Sequence, residues 1–194
     1  MKRVLLGCLA MASISCGSMT REGTSSSYLV VSALEAASGA DPEEFGGVLE
    51  SDVVTVVDER STIFADSGRV TLVLALKDPG PSGAPLAPTA NNAITIDRYR
   101  VRYIRSDGRN TEGVDVPYGF DGAFTATVFE STQASFTLVR AQAKGEAPLA
   151  GLANSFLIIS TIAEVTFYGH DQTGREVITT ARIGVDFANY GDPE

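Results

Sequence analysis

Runs of β-branched and aromatic residues, cut at short intervals by turn-forming residues, leave this chain little option but β-structure. Strands are expected near 28–35, 48–57, 69–77, 94–105, 122–129, 134–140, 156–169 and 175–187. Between them stand Asp66-Ser67-Gly68, Ser106-Asp107-Gly108, Asp121-Gly122 and Gln172-Thr173-Gly174, all of which carry turn chemistry. No long segment repeats its apolar residues at helical spacing. The best helical candidate lies near 138–153, where Leu138, Gln142, Leu149 and Leu152 follow the period only roughly and Pro148 interrupts it.

Alternation tells which faces are buried. In 122–129, Phe124, Ala126 and Val128 share one face, opposite Thr125 and Thr127. In 175–187, Val177, Ala181, Ile183, Val185 and Phe187 lie opposite Glu176, Thr180, Arg182 and Asp186. The segment Val165 to Tyr168 is expected to pair with it across the loop from Gly169 to Arg175. Val70 to Leu76 is apolar on both faces, which suits a central strand. Many short strands with glycine-containing turns indicate an all-β, antiparallel sandwich of about eight strands. The pattern resembles immunoglobulin-like or transthyretin-like domains, with at most one short helix near 138–153. There is no internal repeat, which argues against a solenoid.

The start of the chain has a different character. Lys2 and Arg3 precede an apolar run from Val4 to Met11, followed by small residues from Ala12 to Ser15 and then Cys16. A basic start, a short apolar middle and a small-residue exit make a secretory signal peptide. The run is shorter than the roughly 20 residues a membrane-spanning helix needs. Ser13-Ile14-Ser15-Cys16 resembles the lipobox of bacterial lipoprotein precursors, with Ser13 where Leu is usual. The resemblance covers residues 1 to about 20. It implies that Cys16 becomes the first mature residue and carries the acyl chains, palmitate among them. It also implies attachment to a membrane of the cell envelope. Asp after the cysteine retains such proteins at the inner membrane. Gly17 stands there instead, which favours the outer membrane; plain secretion is the alternative. A competing box, Leu5-Leu6-Gly7-Cys8, leaves almost no apolar stretch before cleavage.

On this reading residues 1–15 are the signal peptide, 16–27 a lipid-anchored tether, 28–190 one sandwich domain and 191–194 a tail. The tether, Gly17 to Ser27, is small and polar and would reach about 35–40 Å when extended. The only cysteines are Cys8 and Cys16, so an acylated mature chain forms no internal disulfide and the core must supply its stability. Cleavage removes Lys2 and Arg3 and takes the formal net charge from −9 to −11. That charge argues against nucleic acid as a partner, because polyanions repel one another.

Candidate sites are few. Arg98, Arg100 and Arg102 alternate with Tyr99, Val101 and Tyr103, so the arginines fall on one strand face about 7 Å apart. They could grip an anionic glycan, a phosphate or a partner's carboxylates. The plainer and preferred reading pairs them with acids on neighbouring strands. Tyr118 and Phe120, in the glycine-rich loop Gly113 to Gly122, suggest either stacking on a sugar or a lid tucked under the sandwich. The absence of Trp favours the lid. Asp78 to Asn92 holds four prolines and reads as a semi-rigid loop.

His170, the only histidine, is expected in a solvated turn beside Asp171; adjacent strand residues face opposite ways, and no G-x-S-x-G elbow marks a nucleophile. One histidine and a lipidated cysteine fall short of a zinc set. The acids Asp41, Glu43, Glu44, Glu50, Asp52, Asp58 and Glu59 follow no calcium-loop spacing and read as a solvated surface. The sequence therefore points to no catalytic residue, metal or cofactor. It points to a non-catalytic envelope lipoprotein serving as a structural or protein-interaction module. A glycan-binding or extracellular-polymer-binding module is the alternative, and a hydrolase a distant third.

Overall fold

The computed structural model describes residues 24–191, so Cys16 and the leader lie outside the described residues. Two sheets pack face to face. The first has three strands in the order β1 (Ser27–Ala37), β5 (Asp66–Leu76) and β9 (Ser131–Val139), all antiparallel. The second is ordered β2 (Val48–Asp52), β11 (Glu176–Ala188), β10 (Ile159–Asp171), β6 (Ile94–Ile104) and β7 (Phe120–Gly122), with β8 (Ala126–Val128) also on β6. Its β2–β11 pair is parallel. A small ribbon joins β3 (Thr55–Val57) and β4 (Arg60–Thr62). Among the described residues the chain is thus a β-sandwich of 11 strands rather than about eight, antiparallel apart from the β2–β11 pair.

Two of the three extra strands come from runs that broke in two, and the third, β4, lies outside every expected run. The run expected at 48–57 divides into β2 and β3, and that at 122–129 into β7 and β8. β5 sits between β1 and β9 and buries Val70, Leu72 and Leu74 toward the core, as its doubly apolar run requires. β10 and β11 form the expected hairpin, with Phe167 opposite Thr179 and Val165 opposite Ala181. Between β9 and β10 the chain makes one short helix, α1 (Ala141–Lys144), then a 3₁₀ turn over Leu149–Leu152. That is the helical content expected near 138–153.

Two expected turns are strand instead. Asp66-Ser67-Gly68 opens β5 and Asp121-Gly122 closes β7. Their glycines serve close packing: a Cβ on Gly68 would stand 2.5 Å from Cζ of Phe136, and one on Gly122 would strike the Tyr99 ring. Gly108 and Gly174, by contrast, have φ of 82° and 80°, the left-handed backbone a tight turn demands.

The core lies between the sheets. Tyr99, Phe124, Phe136 and Phe167 pack as a cluster of rings with centroids 5.0–6.4 Å apart. The ends of the sandwich are distinct. Ser27 Oγ donates to the carbonyl of Asn92, which places the start of β1 beside the start of β6 and the end of β10. At the other end, roughly 40 Å along the 13 residues of β10, lie α1, the 3₁₀ turn, the start of β10 and the end of β11.

Candidate functional site

The arginine ladder forms as its alternation requires. Arg98, Arg100 and Arg102 all project to solvent from β6, while Tyr99, Val101 and Tyr103 are buried. Each guanidinium meets a different neighbour. Arg98 lies 4.1 Å above the Tyr168 ring on β10. Arg100 reaches Asp121 at 3.5 Å. Arg102 stands opposite Glu164 in register, yet that carboxylate is held at 2.6 Å by Arg182 of β11. The chain's own acids thus cover part of the ladder.

The aromatic loop divides. Tyr118 is exposed, with its ring over Gly113. Phe120 is 9% exposed, edge-on to Tyr99, with the Arg140 guanidinium 4.6 Å from its ring. Phe120 is therefore a core residue, against its reading as a contact and in line with the preferred tucked position, because β7 pairs it with Val101 and turns it inward. Tyr118 and Phe120 do not build a shared platform.

His170 and Asp171 belong to the end of β10 rather than to the turn after it. His170 is exposed, with Nδ1 3.3 Å from Asp97 Oδ2. Asp171 faces inward, where its Oδ1 accepts from the Thr173 hydroxyl and from the N–H groups of Thr173 and Arg175. Burial pushes its pKa up, but these bonds and one from the Ser25 hydroxyl outweigh it and hold the carboxyl below its ordinary value. Asp171 is a hairpin cap. Among the described residues no cluster of three or more His, Cys, Asp or Glu side chains is placed to hold a metal ion.

The most unusual surface lies elsewhere, at the end of the sandwich remote from residue 24. Phe156, Leu157 and Ile158 were expected to open a strand, but β10 begins only at Ile159. Phe156 is completely solvated, and Leu157 and Ile158 are 70% and 58% exposed. Two bonds hold the approach to the segment: Ser155 Oγ accepts from the Leu157 N–H at 3.1 Å, and Asn189 Nδ2 donates to the Ala153 carbonyl at 2.9 Å. Beside it runs an open groove of about 420 Å³ lined by Leu152, Leu157, Ile158, Val114, Arg105 and Arg109. Asp107 ties the two arginines together, with Arg105 Nη2 at 2.6 Å and Arg109 Nε at 3.2 Å. The hydrogen bond from Arg105 holds the Asp107 carboxyl far below the usual carboxylate range. The result is an apolar tip bordered by a basic loop that Asp107 braces. The sequence did carry a signal for it, since Phe156 to Ile159 is a continuous apolar run rather than an alternating one.

No protein-family model matches the chain, and no curated protein does. Among solved structures it is similar to the X-ray structure of Northeast Structural Genomics Consortium target SoR45, at 12% identity and a TM-score of 0.36, over 88% of this chain and 92% of that one.

Proposed function

We propose that this protein is a non-catalytic cell-envelope lipoprotein, held to a membrane by acyl chains on Cys16, that presents the far end of its sandwich to a protein partner. The observation that carries the reading is the solvated run Phe156-Leu157-Ile158 at the end opposite the start of β1. Three consecutive large apolar side chains left in water favour association, since burying each gains about 1.5–3 kcal/mol. The start of β1 lies beside Asn92 and Asp171, at the end of the sandwich opposite the tip. Gly17 in place of Asp favours the outer membrane.

The test is envelope fractionation with labelled palmitate, comparing wild type with Cys16→Ala, together with a photo-cross-linking residue at position 157 and a control at position 178. The reading expects a labelled, membrane-sedimenting wild type, an unlabelled soluble variant, and one defined protein cross-linked from 157 but not from 178. An unlabelled, soluble wild type overturns the anchor. No cross-link from 157, or equal cross-links from both positions, overturns the docking role.

A further inference from the structure

Lys144 and Asp66 meet where neither has access to water. Lys144 ends α1 and Asp66 opens the central strand β5; their side chains are 1% and 0% exposed, and Nζ lies 2.7 Å from Oδ1. The other donors also converge on the carboxyl: the Ser51 hydroxyl on Oδ2 at 2.6 Å and the Gly39 N–H on Oδ1 at 2.9 Å. Taking both charges out of water is costly, and a mutually neutral state of the pair relieves that cost. We propose that Lys144 and Asp66 condense to an intramolecular amide, an isopeptide bond between Nζ and Cγ. This is a covalent modification that the fold itself assembles, and it is independent of the docking role.

The atoms needed for the step are in place. The Lys144 ammonium gives one proton to Asp66 Oδ1, leaving an amine beside a carboxylic acid. Burial pushes the Asp66 pKa up, which favours that protonated form. The nitrogen lone pair attacks Cγ, and the charge that develops on Oδ2 is met by the Ser51 hydroxyl in the manner of an oxyanion hole. A second nitrogen proton passes to Oδ1, the Cγ–Oδ1 bond breaks, and water leaves. An ammonium and a carboxylate become one amide and one water, with no oxidant or co-reactant. The fold holds amine and acid at a high effective concentration, and the closed surroundings keep water from reversing the reaction.

The consequence suits the chain. Residues after Cys16 contain no cysteine, so no disulfide can brace the mature domain. An Asp66–Lys144 bond would tie the middle strand of one sheet to the connection that crosses to the other.

The measurement is a tryptic digest of the denatured full-length protein purified from envelopes, read by tandem mass spectrometry, beside a folded Lys144→Arg variant that keeps the charge and cannot form the amide. The expected product from wild type is a branched peptide joining residues 61–69 to residues 141–175, lighter than the two by one water and uncut after Lys144. In Lys144→Arg the branch disappears and residues 61–69, 141–144 and 145–175 are released separately. If wild type also releases those three linear peptides and no branch, the contact is an ion pair only and the proposal fails. A branch on residues 61–69 that survives in Lys144→Arg overturns it equally.

Discussion

The Tyr103 hydroxyl donates a 2.8 Å hydrogen bond to the main-chain carbonyl of Leu138, joining β6 of one sheet to β9 of the other through the core. Burial pushes the phenol's pKa well above its ordinary value, so the donor keeps its proton across the working pH range. Removing the oxygen leaves a buried carbonyl without this partner, at a cost of about 1–3 kcal/mol. Tyr103→Phe is therefore expected to lower Tm by roughly 2–4 °C for each kcal/mol in a domain of this size. Thermal unfolding of the two proteins checks it, and an unchanged Tm would remove the bond from the list of what holds the sheets together.

Glycine positions give a graded prediction. A Cβ on Gly68 meets the Phe136 ring, while one on Gly169 meets the main chain of Thr95, at the irregularity in the β10–β6 register. A ring can shift by a rotamer, but a paired strand cannot move without breaking its ladder. Gly169→Ala is thus expected to cost more than Gly68→Ala, both within about 1–3 kcal/mol or slightly beyond. Gly47→Ala, where the added atom has nothing within 4 Å, is expected to be near neutral. Urea unfolding midpoints give the order directly.

These glycines also show what was legible in the sequence. Binary alternation identified the ladder faces of β6 and the hairpin of β10 and β11, because period-2 patterning and burial are two views of one constraint. Glycine identity is ambiguous: it permits positive φ at Gly108 and Gly174, but at Gly68 and Gly122 it leaves room for a ring from a distant strand. Only the tertiary structure tells these apart. The Lys144–Asp66 contact had no sequence signal at all, since its partners are 78 residues apart. The apolar tip is legible as a run of hydrophobic residues, but the sequence reads that run as the opening of a strand, the usual fate of such a run.

That tip yields a separation of stability from binding. Phe156 touches solvent on all sides, so Phe156→Ser removes no packing and is expected to shift stability by no more than about 0.5 kcal/mol. The same change should abolish the cross-link from position 157. A variant that unfolds at the wild-type temperature and still captures the same protein would place the contact elsewhere.

Acid sensitivity is expected to centre in part on Asp171. Its folded pKa is lowered, because the bonds from Thr173, Arg175 and Ser25 outweigh the opposing effect of burial. The unfolded chain therefore binds its proton first as pH falls, and between the two pKa values stability must rise with pH. The contribution is fully present above the unfolded value of about 3.9 and is lost as pH drops through the folded value. Asp171→Asn retains a side-chain oxygen that can accept from Thr173 but has no charge to titrate. The variant should be less stable than wild type at neutral pH, and the gap should narrow as pH falls from the unfolded value through the folded one. Chemical unfolding at a series of pH values checks this. A gap that stays constant with pH would mean that Asp171 caps the hairpin through shape alone.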